Sequence, residues 1–128
     1  MAVRWIYPSC TVVDVHDGDT VRVDIDLGQD LWIMKRAVRL VGIACRELSD
    51  PGGPEARDAL AELCPVGTRV RLDSRGWDKY AGRIDAVMYL PDQRTVQSVL
   101  IDEGWAAVWN GRGAQPKPPW PRVRPRPA

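Results

Sequence analysis

Three short stretches concentrate the side chains that could do chemistry: DGD at 17–19, RLVGIACRE at 39–47 and DKYAGR at 78–83. Together they offer arginines and carboxylates, a set suited to phosphodiester hydrolysis. A guanidinium binds a phosphate through two parallel hydrogen bonds and stabilises the charge of the transition state. A carboxylate orients or deprotonates the attacking water, and a hard divalent cation would be held by Asp oxygens. Taken singly, each stretch has an ordinary use. DGD marks a hairpin turn, with Gly18 able to take positive φ. Arg39 can snorkel or pair with a nearby acid, and DKYAGR can be a polar loop ahead of a strand. Cys45 has no second His or obvious general base to partner it and reads as a small apolar filler rather than a nucleophile. His16, the one histidine, reads as a structural residue beside the turn.

The elements that would position these clusters follow from the apolar period. CTVVDVH at 10–16 alternates and is valine-rich, as a strand should be. Residues 20–27 keep strict period two, with Val21, Val23 and Ile25 on one face and Arg22, Asp24 and Asp26 on the other. Residues 31–43 make one long third strand, so two hairpins in a row give a three-stranded meander. The period then changes. Gly52 and Gly53 break the chain, Pro54 suits a first helical position, and Ala56, Ala59, Leu60 and Leu63 recur at helical spacing over 54–64. Strands at 68–74 and 82–90 follow, then a helix over 95–104 that ends at Gly104. Three strands, a helix, two strands and a helix predict a mostly β fold with α: a five-stranded antiparallel barrel of the OB type with two or three helices.

Length allows one domain with a real core, burying about two thirds of the unfolded surface. The start, MAVRWIYPSC, lacks an apolar signal region and nothing resembles a membrane span, so the expectation is an intracellular chain that makes no membrane contact. Three cysteines, Cys10, Cys45 and Cys64, without C-x-x-C spacing argue against a disulfide framework or a structural zinc site. The net charge of +1 is uneven. Arg112, Lys117, Arg122, Arg124 and Arg126 give +5 from Gly111 onward with no acid, leaving −4 for residues 1–110. The chain thus divides into a domain at 1–110 and a basic, proline-rich tail at 111–128, which reads as a polyproline II tail or as a supplementary phosphate-binding arm.

The clusters in this order resemble the staphylococcal nuclease (thermonuclease-like) family, over about Val12 to Val108. The resemblance rests on DGDTV, the spaced RLVGI and Glu47, GPEA opening the first helix, DKY–GR, and VLIDEGWAAV at 99–108. It implies an OB barrel and a calcium-dependent phosphodiesterase acting on DNA and RNA. Asp19 would ligate the metal, Arg39 would hold the scissile phosphate, Glu47 would direct water, and Arg83 would stabilise the developing charge. Lys79 and Tyr80 would contact nucleotide phosphates.

The sequence departs from that pattern in places that matter. The family's D-x-P-E loop here reads Ala44, Cys45, Arg46, Glu47, so the second metal-ligating Asp is an alanine. One carboxylate makes a poor calcium site, since a hard cation needs several oxygens; Asp17, Asp50 or a substrate phosphate would have to complete the shell. Ala81 is an extra residue in the arginine motif, and the proline tail stands where the family has a helix. Two readings follow. One is a metal-dependent nuclease, supported by Asp19, Arg39, Glu47 and Arg83 together, which a purely structural barrel has no use for. The other is a catalytically degenerate barrel that binds nucleic acid or a protein partner, supported by Ala44. The first requires the four side chains to converge on one pocket.

Overall fold

A computed structural model describes residues 5–78 and 82–119. Five strands form a closed barrel in the order β1 (Trp5–Asp17), β2 (Thr20–Gly28), β3 (Leu31–Leu40), β6 (Arg83–Tyr89) and β5 (Arg69–Trp77). Helix α1 (Gly53–Leu63) joins the first three strands to the last two, and α2 (Val96–Asp102) follows β6. The expected OB-type barrel with two helices is the observed fold. Its inward period-two positions, among them Val12, Val21, Val23, Ile25, Val38 and Leu72, are fully buried, and Leu60 of α1 and Leu100 of α2 close on them.

Four details differ from the sequence expectation. The third strand is not continuous: it ends at Leu40, turns at Gly42 (φ +83°), and resumes as a separate short strand β4 (Ile43–Cys45). That strand pairs with β7 (Ala106–Val108), which the sequence reading assigned to no element. The barrel is not wholly antiparallel, because β3 and β6 run parallel, with Ala37 opposite Arg83 and Arg39 opposite Asp85. The cause is arithmetic: a closed ring of five strands cannot alternate direction all the way round, so one adjacent pair must be parallel. Strands β1 and β5 also run beyond the expected 10–16 and 68–74, pairing Trp5 with Ser74 and Tyr7 with Leu72. Pro8 sits within the register shift between Tyr7 and Cys10, where its missing donor costs no ladder bond. Finally, Gly18 is not among the residues with positive φ. A Cβ there would lie 3.2 Å from the Cys45 Cβ and 3.4 Å from the Ala56 Cβ, so glycine serves close packing instead.

Both helices are placed by local chemistry. Gly52 takes φ +84° ahead of α1, and Pro54 fits its first turn, where no intrahelical donor is needed. The Thr95 side chain accepts the Ser98 N–H at 3.1 Å and caps α2. Gln97, on the buried face of α2, ties the site's scaffold together. Its amide donates to Val41 O (3.1 Å) and Ala86 O (3.0 Å), and its oxygen accepts the Met88 N–H (3.3 Å). It thereby pins the turn between Arg39 and Cys45 to strand β6.

Candidate active site

Asp19 ends the tight turn between β1 and β2, and its carbonyl accepts the Leu40 N–H at 2.8 Å, which sets it beside the end of β3. Thr20 and Arg39 are register partners across β2 and β3. The result is a pair in which Arg39 Nη2 lies 3.6 Å from Asp19 Oδ2, both side chains about one-fifth exposed. Arg39 is further fixed by donating from Nη1 to Leu40 O (2.6 Å) and from Nη2 to Ile43 O (3.5 Å). Arg83 reaches the same region from β6 and pairs with the nearly buried Asp78 at 2.9 Å. Glu47 stands in the exposed loop after β4. That loop is closed by reciprocal bonds: Glu47 N–H to Asp50 Oδ2 (3.0 Å) and Asp50 N–H to Glu47 O (2.9 Å).

Two adjoining cavities, of about 460 and 430 Å³, form one groove, and Arg39, Glu47, Arg83 and Gln115 line both. The larger is walled by His16, Asp17, Asp19, Cys45 and Arg46, the smaller by Asp78, Asp85, Trp109 and Asn110. Asp19, Arg39, Glu47 and Arg83, far apart in the chain, therefore line one cavity. Lys79 and Tyr80, singled out as nucleotide contacts, lie outside the described residues, as does Ala81.

No protein-family model matches this chain, and no curated protein matches it.

Burial sets the electrostatics. Burial raises the Asp19 carboxyl to about 6, an effect reinforced by its hydrogen-bonded neighbour Asp17 and opposed by Arg39. Burial also pushes the Cys45 thiol far above its usual range; its Sγ donates to Gly18 O at 3.1 Å, so it packs the turn and is no nucleophile. Cys10 and Cys64 are buried free thiols raised to about 12.

Several of the Asp oxygens that could face a cation already have partners. Asp19 Oδ2 faces Arg39 and Oδ1 accepts from Thr20, while Asp17 Oδ1 accepts the Asp19 N–H at 3.1 Å. Asp50, one of the two acids suggested as a substitute ligand, holds the Glu47 turn and lines neither cavity. Ala44 is fully buried and also lines neither. Among the described residues, no three His, Cys, Asp or Glu side chains are grouped to hold a metal ion. Among the same residues, no helix is long and apolar enough to cross a membrane.

The Asp19 geometry predicts a stability gain on neutralisation. Its folded-state pKa lies above the ordinary 3.8, so the folded chain binds the proton more tightly than the unfolded chain. The contribution of Asp19 to stability is then greatest below about pH 4, falls as the pH rises towards about 6, and stays reduced above it. Asp19→Asn, which mimics the protonated group, should stabilise the protein by on the order of 1 kcal/mol at pH 8 and by little at pH 4. Urea denaturation of both proteins at the two pH values tests this. Equal differences at pH 4 and pH 8 would refute it.

The sequence reading missed Asp85, Gln115 and Trp109. Asp85 had one legible signal, since alternation in β6 buries Ile84, Ala86 and Met88 and turns Asp85 outward with Arg83. For Gln115 and Trp109 we find no such signal, because their places depend on how the chain leaves β7.

Proposed function

We propose that this protein is a nuclease-like phosphodiesterase that hydrolyses DNA, RNA or both. The observation that carries the reading is the shared lining of one groove by Arg39, Glu47 and Arg83 beside Asp19. A phosphodiester at the junction of the two cavities meets both guanidiniums. It replaces the long 3.6 Å contact between Arg39 and Asp19 with charge-assisted hydrogen bonds. Glu47, exposed and on the same junction, accepts a proton from water as the water oxygen attacks phosphorus. Arg83, steadied by Asp78, meets the charge that grows on the phosphoryl oxygens.

The test is degradation of plasmid DNA and of RNA in calcium, magnesium, manganese and EDTA in parallel. Cleavage in any condition that Arg83→Ala loses supports the reading. Absence of cleavage in all of them overturns it. Calcium dependence is tested separately. Because Ala44 is fully buried, Ala44→Asp should cost roughly 2 kcal/mol in EDTA unless a cation meets the new carboxylate. Calcium should then raise the melting temperature of Ala44→Asp and leave the wild type unmoved. A calcium-dependent rise in the wild type would show that the chain binds calcium without a carboxylate at that position.

The reading as a non-catalytic module has one observation of its own. Trp5, Ile6, Leu27, Leu31, Trp32, Met34 and Trp77 are all about half exposed or more. They lie where β1, the β2–β3 hairpin and β5 end, and Arg36 stacks on Trp77 at 4.9 Å. Such patches mark binding surfaces, and the nearby carboxylates of Asp24 and Asp26 favour a protein there over a polyanion. Lys substitutions at Trp32 and Trp77 should leave cleavage unchanged.

A further inference from the structure

Asp85 belongs to no reading made from the sequence, yet it lines the groove with Arg39, Glu47 and Arg83. The parallel register puts it opposite Arg39, and the outward face of β6 puts it beside Arg83. One of its oxygens, Oδ1, is buried without a hydrogen-bond partner. A carboxylate oxygen in that position is poorly compensated, whereas a carboxylic acid carries less charge to bury. The acidic neighbour that reinforces this burial is Asp78, which holds Arg83 at 2.9 Å and is itself nearly buried.

Resting on the phosphodiesterase reading above, we propose that Asp85 is the proton donor to the leaving oxygen, with Glu47 as its basic counterpart. Two carboxyl groups in one groove divide acid and base work when their surroundings set their protonation apart. Glu47 is exposed. Asp85 is raised by burial first, then by the charge and hydrogen bond of Asp78, and is lowered by Arg39 and Arg83. The other elements facing it add Glu47 from the loop after β4, and uncharged Gly76 of β5 and Trp109 beyond β7.

The step balances. The water oxygen forms a bond to phosphorus, and the bond from phosphorus to the leaving oxygen breaks. Asp85 passes its carboxyl proton to that oxygen and becomes a carboxylate. Glu47 takes the proton of the attacking water. Exchange with solvent then restores both groups.

The experiment compares wild type, Asp85→Asn and Asp85→Glu on an oligonucleotide and on a p-nitrophenyl nucleotide diester, whose leaving group needs no proton. Asp85→Asn should slow oligonucleotide cleavage by about 10²–10⁴-fold and leave the p-nitrophenyl diester within about 3-fold, as expected of an acid whose proton that diester does not require. Asp85→Glu should recover part of the lost activity. In wild type the oligonucleotide rate should fall on the alkaline side. Asp78→Asn, which removes the neighbouring charge, should move that fall to lower pH. Equal loss on both substrates, or an alkaline limb that Asp85→Asn leaves in place, would make Asp85 a positioning residue and overturn the proposal alone. A wild type that cleaves neither substrate would overturn the phosphodiesterase reading and the donor together.

Discussion

On the phosphodiesterase proposal, Glu47→Gln is expected to lower cleavage by about 10²–10⁴-fold without loosening the fold. The substitution keeps the shape of the side chain and removes only its capacity to take a proton. Glu47 is exposed, and the bonds that hold its loop come from its backbone: its N–H to Asp50, its carbonyl to the Asp50 N–H. None of these is disturbed by a change at the end of the side chain. Single-turnover cleavage, read beside the melting temperature, separates the two effects. A loss below about 10-fold would place the base elsewhere. A matching fall in melting temperature would mean that Glu47 supports the loop rather than the chemistry.

Gly53→Ala should act on the same residue from behind. Gly53 opens α1, and a Cβ built there runs into the Glu47 carbonyl oxygen, with the Glu47 carbonyl carbon at 2.8 Å and the Leu48 Cα at 2.9 Å. All three are backbone atoms, so no rotamer relieves the clash. Either the helix start or the Glu47 loop must move, and both are tied to Asp50, which accepts the Gly53 N–H at 2.9 Å. The expected cost is about 3 kcal/mol, in the range of overpacked sites, together with a loss of cleavage as Glu47 leaves the junction. Gly28→Ala is the control. It has φ +85° with nothing within 4 Å, so only the strained backbone is charged, at about 1 kcal/mol. Urea denaturation and cleavage rates of the two variants test the argument. A Gly53→Ala protein as stable and active as wild type would show that the helix does not brace the loop.

The strands and helices were legible because burial imposes a period, two for a half-buried strand and 3.6 for a helix, and the period survives in one dimension. Val21, Val23 and Ile25 against Arg22, Asp24 and Asp26 needed nothing else, and all three apolar residues are in the core. The charged residues that line the groove were legible for a similar reason: charge at strand ends is visible wherever it sits. Three matters were not. The break of the third strand at Gly42 depends on Gln97, 55 positions on, fixing the turn against β6. The role of Gly53 depends on a backbone six residues earlier folding back over it. The place of Asp85 depends on β3 and β6 meeting in parallel; an odd number of strands in a closed ring compels one such pair, but no local pattern records which. By itself the sequence settled which face each residue of a strand presents. Only barrel closure decided which faces adjoin, because contacts between distant segments come from the register of whole strands and not from the residues that meet there.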